Sequence, residues 1–330
     1  MGGYMINALR TLRVTEAGRF GRRAALAAVL LFPAAAAAQQ PASEDPAAPS
    51  LFGHSFVIPA LIRTPFVRTD VSNTVGIGQA VDINFPSVVL PNGDTVAALN
   101  GDLTFARLGF KYEHALRDWL SVWGRLEVDA RLGTDVGSLL SAGVTLATGF
   151  ELGWLAQMRE TERSLLSASV FVRNSQFTLV DLPRWVDQII NGNTADLVLT
   201  TPSLRVGAGL SYAWVLNDLI GFIFEGNATY GEELTRQGDQ FFFSGTAAMS
   251  LNMSPRTNVP LGVAVTFRAD SHPSVNGAQS EGWEAVGLRF SYTGRDDLRL
   301  SLTSEAQWVP YQDDDAMIVG ILSFEIQYFF

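Results

Sequence analysis

The stretch Met317-Ile318-Val319-Gly320-Ile321-Leu322-Ser323-Phe324-Glu325-Ile326-Gln327-Tyr328-Phe329-Phe330 decides how the rest of the chain is read. Taken in twos, Ile318, Leu322, Phe324, Ile326, Tyr328 and Phe330 share one face, with Gly320 among them. Ser323, Glu325 and Gln327 share the other, where Val319, Ile321 and Phe329 blunt the contrast. Successive side chains of a strand point to opposite sides, so a period of two predicts a β-strand with one apolar face.

Composition narrows what that face can meet. Charged residues make up 17% of the chain, below the roughly 25% of average soluble proteins. Mean hydropathy is positive, at +0.16. Beyond the N-terminal region, no apolar run reaches the ~18 residues that a transmembrane helix needs. There is no cysteine, which excludes disulfides and thiolate metal sites. A net charge of −10 argues against nucleic acid as a partner. No cofactor is expected.

Working back from the C-terminal stretch, strand-like segments recur from Phe66 onward. The clearest is Trp119 to Leu132, where Leu120, Val122, Leu126, Val128, Ala130 and Leu132 alternate with Ser121, Arg125, Glu127, Asp129 and Arg131. Others begin near Val71, Asp102, Ala142, Leu165, Leu204 and Leu219, and then near Phe241, Leu261, Trp283 and Leu298. With Met317 to Phe330 they make about twelve, most of them long enough for the ~9–11 residues of a tilted bilayer-spanning strand.

The ending resembles the C-terminal assembly signal of bacterial outer-membrane β-barrels, in which a terminal aromatic residue closes the last strand. Phe324, Ile326, Tyr328 and Phe330 carry the resemblance. It implies an all-β fold, a transmembrane antiparallel up-and-down barrel of about twelve strands over residues 66–330, located in the outer membrane. The implied partners are outer-membrane lipid and lipopolysaccharide, the barrel-assembly machinery during insertion, and small polar solutes. Physics asks for closure independently. In hydrocarbon an unpaired backbone amide costs several kcal/mol, and only a closed sheet has no free edge. A secreted β-sandwich is the competing reading, but it accounts for neither the terminal Phe nor the aromatic pattern described next.

Connections and aromatics agree with a barrel. Ala115 to Asp118, Arg159 to Arg163, Leu216 to Asp218, Ser254 to Asn258 and Gly294 to Asp297 are short, as periplasmic turns are. Asn84 to Gly101, Ser175 to Pro202, Gly231 to Gln240 and Ala269 to Gly282 are longer, while Gly133 to Leu140 and Pro310 to Ala316 are only modestly longer than the turns. On the lipid-facing parity, Tyr112, Trp154, Tyr212, Trp214, Tyr292, Tyr328 and Phe330 fall at one end, and Tyr230, Phe241, Phe243, Phe267 and Trp308 at the other. Two aromatic girdles at two interfaces are the expected pattern.

Upstream, Arg10, Arg13, Arg19, Arg22 and Arg23 precede the apolar stretch Ala24 to Ala38, which ends in small residues. Residues 1–38 are therefore expected to be a cleaved signal peptide. Residues 39–65 are expected to be disordered or loosely structured. Gln39 to Ser50 is rich in Pro, Ala and acid. Leu51 to Pro65 is apolar but broken by Pro59 and Pro65, and reads as a short plug or a periplasmic lead-in.

Chemistry is sparse. Asp270-Ser271-His272 holds residue types suited to nucleophilic work, but adjacent residues in one loop seldom converge in triad geometry. Asp313-Asp314-Asp315 reads as an exposed acidic turn. The pore-lining candidates on the lumen parity are Arg107, Lys111, Arg125, Arg131, Arg173, Arg205, Arg268, Arg289 and Arg299. Facing them are Glu113, Glu127, Asp129, Glu151, Glu225, Glu305 and Glu325. Such charges set ion selectivity in an open channel, or pair across strands in a closed one. Their near balance predicts no strong preference between anions and cations.

Within Ser175 to Pro202, Leu182, Trp185, Val186 and Ile189 fall at helical spacing, with Pro183 suited to a first turn. Such a helix could rest on the outer leaflet, cap the barrel mouth, or fold inward as the third outer loop does in general porins, which the arrangement resembles. The inward fold makes Arg184, Trp185 and Asp187 candidates for a constriction. A passive pore for small polar solutes is thus expected, not an enzyme. The alternatives are a closed barrel with a structural or surface-interaction role and, further off, a barrel hydrolase using His272.

Replacing Phe330 with Asp is expected to leave export across the inner membrane intact and to block barrel insertion. Heat-modifiable migration in outer-membrane fractions checks this, and a normal shift for the variant would show that the terminal aromatic is dispensable.

Overall fold

The structure is a computed structural model that describes residues 48–85, 99–132, 143–180, 198–232, 239–271, 283–312 and 315–330. The expected signal peptide lies outside the described residues, as does Gln39 to Ala47.

A two-stranded hairpin comes first, β1 (Ser50–Leu51) and β2 (His54–Ser55). The barrel then runs through β3 (Asp70–Phe85), β4 (Leu99–Arg117), β5 (Leu120–Leu132) and β6 (Gly143–Glu160). It continues through β7 (Ser164–Val180), β8 (Val198–Val215), β9 (Ile220–Glu232) and β10 (Asp239–Asn252). The last strands are β11 (Leu261–Asp270), β12 (Trp283–Tyr292), β13 (Leu298–Gln312) and β14 (Asp315–Phe329). Each barrel strand pairs antiparallel with its sequence neighbours, and β14 returns to β3, from Ile318↔Val81 to Phe329↔Asp70. The sheet is a closed all-β barrel of twelve strands, without an edge.

Five connections gather at one end: 118–119, 161–163, 216–219, 253–260 and 293–297. The longest of these holds a single helical turn, α1 (Ser254–Thr257), with Pro in its first turn and Asn258 closing it in the left-handed region. The connection expected over Ser175 to Pro202 is shorter than the sequence suggested. β7 and β8 stay paired from Ser175↔Ser203 out to Val180↔Val198. Phe177, Leu179, Val180, Val198 and Leu199 are strand formers, and their pairing carries the hairpin beyond the predicted strand ends. Residues 181–197, expected to hold a helix and including Arg184, Trp185 and Asp187, lie outside the described residues.

The two faces of the wall separate by parity. Leu108, Leu126, Leu210 and Leu322 point outward and are exposed, while Arg107, Arg125 and Ser323 beside them point inward. Tyr112, Tyr212, Trp214, Tyr292, Tyr328 and Phe330 ring the outer surface near the short-turn end. Tyr230, Phe241, Phe243, Phe267 and Trp308 ring the other. A continuous outward apolar band between aromatic rings suits hydrocarbon and not water.

The N-terminal segment departs from expectation. From Ala48 onward it is packed, not loose. Phe56 and Val57 are wholly buried, and the β1–β2 hairpin turns through Phe52 and Gly53, both with positive φ. Leu51, Phe56, Ile62 and Phe66 form a core with Leu165, Ala213, Val215, Ile223 and Ala248 of the inner wall. Val67 joins Trp123, Leu155 and Phe171 in a second cluster. The physical reason is available area: the wall offers inward apolar side chains at its short-turn end, and the segment's own apolar residues cover them. The approach is close. A Cβ at Gly221 would meet Phe56 and His54, and one at Gly262 would meet Val57.

Leu126 is 53% exposed near the middle of β5, and Glu127 beside it faces inward to Arg125. Leu126→Arg should cost on the order of 2–4 kcal/mol in the bilayer midplane, and Glu127→Gln much less. Refolding equilibria into lipid vesicles read both, and equal costs would invert the assignment of faces.

Candidate functional site: the lumen and its N-terminal plug

A barrel of roughly eight strands is just filled by its own side chains, and one of sixteen or more leaves an aqueous channel. Twelve strands leave an interior that residues 48–69 partly fill. The plug is not part of the barrel sheet. Four groups of side-chain contacts among those that fasten it bear on the site.

At the short-turn end, Arg299 of β13 donates to the Phe56 carbonyl and to Ser55 Oγ (3.0 Å). Arg299 is almost wholly buried by the plug. Expected on an open pore wall, it instead lies beneath the plug, because a buried guanidinium can satisfy itself on backbone carbonyls that only a packed segment supplies.

Beside it stands His54. The Val57 N–H donates to Ser250 Oγ (2.9 Å), which leaves the hydroxyl proton for His54 Nε2 (3.1 Å). The Asp218 carbonyl can only accept, so Nδ1 carries the ring proton and donates to it (3.1 Å). The ring also packs edge-on against Phe56. Burial, with Arg299 nearby, pushes its pKa down from 6.5 to about 4, although the Asp218 carbonyl opposes the shift.

Where the plug meets β3, Arg68 pairs with Asp70 (2.7 Å). Lys111 bridges Asp70 (3.5 Å) and Glu113 (2.9 Å). Gln327 donates to Asp70 (3.0 Å), and Ser121 donates to Glu113 (2.7 Å). At the inner tip, the Arg63 guanidinium lies 4.4 Å from the ring centres of both Trp123 and Phe171. It donates to Glu151 (2.9 Å) and Ser169 (2.9 Å), and its backbone N–H donates to Glu225 (2.9 Å).

Above the tip lies a cavity of about 380 Å³. Its charged lining is largely ion pairs, some across strands and some two residues apart on one strand. Arg107 grips Asp129 through two bonds of 2.8 and 2.9 Å, with Glu305 at 3.9 Å. Arg125 pairs with Glu127, Arg173 with Glu151 (2.5 Å), Arg268 with Asp270 (2.7 Å) and Arg289 with Glu325 (2.5 Å). Arg205 stacks on Phe242 at 3.9 Å and donates to the Glu232 carbonyl (3.1 Å). The side chain of Arg131 lies outside the described residues.

Of the Asp270-Ser271-His272 triplet, Asp270 and Ser271 are among the described residues. Asp270 is held by Arg268, and Ser271 accepts from the Phe243 N–H (2.7 Å). His272, Asp313 and Asp314 lie outside the described residues. Sequence reasoning missed His54, Arg63, Arg68, Asp70 and Ser250. Two signals pointed to them: a run of inward apolar residues at the short-turn end, and an N-terminal stretch carrying Arg among prolines and aliphatics.

No family model matches the chain, and no curated protein sequence does. Among solved structures the barrel is similar to an outer membrane channel from Pseudomonas putida F1, with a TM-score of 0.51 at 13% identity. That match covers 83% of this chain and 100% of the other. Further matches are the translocator domain of the autotransporter NalP from Neisseria meningitidis (TM-score 0.47, 8% identity, 97% and 100% covered). The KdgM porin in complex with disordered oligogalacturonate also matches (TM-score 0.44, 5% identity, 79% and 99% covered). At such identities the likeness is one of fold. The architecture is that of the bacterial outer-membrane β-barrels, and within it this chain is a twelve-stranded barrel with an N-terminal plug.

The His54 contacts fit the neutral ring, whose folded pKa of about 4 lies below the ordinary 6.5. Their stabilisation is complete above pH ~6.5 and is lost as pH falls through about 4. The protection of residues 50–66 against hydrogen exchange, taken relative to the intrinsic exchange rate at each pH, should therefore fall in the wild type as pH drops between these values. In His54→Gln the profile should be flat.

Proposed function

We propose that the protein is a narrow channel for small polar solutes in the outer membrane, with its N-terminal plug as the constriction on the periplasmic side. One observation carries the reading. The lumen holds a charged, polar-lined cavity of about 380 Å³ that ends on a segment belonging to no strand of the wall. A segment held by side chains can leave without breaking the barrel's backbone ladder. In this reading the chain is exported with residues 1–38 removed and inserted by the barrel-assembly machinery. It meets lipid and lipopolysaccharide with its apolar band. The connection between β7 and β8, with Arg184, Trp185 and Asp187, is a second constriction at the outer mouth. Paired charges of both signs along the cavity give weak selectivity between anions and cations.

A closed barrel with a structural or surface role is the second reading, favoured by the apolar floor around Phe56, Val57 and Ile223, all wholly buried. Deleting residues 48–66 separates the two. β14 still closes on β3 without them, so the variant should keep heat-modifiable migration and show higher single-channel conductance in planar bilayers. A folded deletion protein that conducts no more than the full chain would establish the closed barrel.

A further inference from the structure

The tip of the plug occupies a socket whose other members all belong to the wall. Trp123 comes from β5, Glu151 from β6, Ser169 and Phe171 from β7, and Glu225 from β9. Trp123 and Phe171 are nearly fully buried and face the Arg63 guanidinium from two sides at 4.4 Å. At its edge stand Glu151 Oε1 (2.9 Å), Ser169 Oγ (2.9 Å) and Glu225 Oε1 (3.8 Å). The two ring centres lie 6.3 Å apart with their planes tilted by 45°, so the rings form a corner over the guanidinium, and with two carboxylates at its edge the set matches a planar, delocalised cation. An ammonium, compact and strongly hydrated, suits such a corner less well.

Charge adds to shape. Glu151 and Glu225 bring two negative charges to the socket, and Arg173 answers one of them at Glu151. Arg63 answers the other. With Arg63 withdrawn the socket loses one positive charge, keeps both carboxylates, and is open to the lumen cavity that Trp123, Glu151, Phe171 and Glu225 line. Arg63 is tethered only through the plug, which the wall holds by side-chain contacts. A diffusible solute with the same head group competes for the same atoms.

We infer that the Arg63 socket is a recognition site for guanidinium-bearing solutes, with Arg63 as its resident stand-in, so that such a solute displaces the plug it replaces. This rests on the channel reading for its consequence, but binding itself can be measured without conduction. Arginine methyl ester is titrated calorimetrically into folded, detergent-solubilised full-length protein. Arg63→Ala should bind it. The wild type should bind about tenfold or more weakly, because its socket is already filled. The variant that adds Glu151→Gln and Glu225→Gln to Arg63→Ala should lose binding, and lysine methyl ester should bind Arg63→Ala less well than the arginine ester.

Equal binding by Arg63→Ala and the triple variant, or none by folded Arg63→Ala, overturns the site. Should Arg63→Ala fail to fold, wild-type protein gives the answer. Millimolar arginine methyl ester should speed proteolysis within residues 48–66, and an unchanged rate overturns the proposal. In bilayers the ester should raise wild-type current. Binding without any current in plug-deleted protein would uphold the socket and remove the channel. Conduction by plug-deleted protein without binding would do the reverse.

Discussion

Everything in this molecule follows from the cost of an unpaired backbone amide in hydrocarbon. An open sheet of these strands would leave two rows of N–H and C=O groups against lipid, at several kcal/mol each. The pairing of β14 with β3 removes both rows at once. Closure then fixes the rest. Each strand must present one face to lipid and one to the interior, so apolar and polar residues alternate without exchange. A shift of one residue in any register would carry Arg107 or Glu225 into the bilayer and Leu108 or Phe224 into the lumen.

Closure also creates a problem inside. The interior of a twelve-stranded wall is wider than its own side chains fill, and the chain meets this differently at its two ends. Toward the short-turn end the wall turns Leu155, Leu165, Val215 and Ile223 inward, and the plug covers them. Further up, the wall turns inward charges that meet one another across strands. Pairs such as Arg107–Asp129, with two parallel bonds, are satisfied by groups of the wall alone. Arg299 and Arg63 depend instead on the plug, so the wall and the plug complete each other's polar chemistry.

How much of this the sequence disclosed depends on which face carried the information. The outer face was legible because lipid imposes one rule on every strand: Leu126 beside Glu127 reads the same way as Leu322 beside Ser323. The inner face obeys two rules, one against water and one against the plug, and a single parity pattern cannot separate them. Ile321 and Phe329 show this. They interrupt an otherwise polar face of β14, yet both are buried on the lumen side, Phe329 beneath Arg68 and Arg299. The plug carries no periodicity of its own, since Pro59 and Pro65 break it and its hairpin is only two residues per strand. Its partners were individually visible as lumen residues. What could not be read was that Glu151 and Glu225, from β6 and β9, share one guanidinium on a segment about ninety residues or more upstream.

That distance has a kinetic consequence. The plug precedes the barrel in the chain, but its anchors lie on β5, β6, β7, β9, β10 and β13. None of these sockets is complete until strands far apart in sequence have been brought side by side. Contacts of such long sequence separation form late, because loop closure must come before they return any stabilisation. The plug, synthesised before the barrel, should thus dock after it. The same contacts, lying outside the ladder, should open in a sub-global step while the wall stays intact.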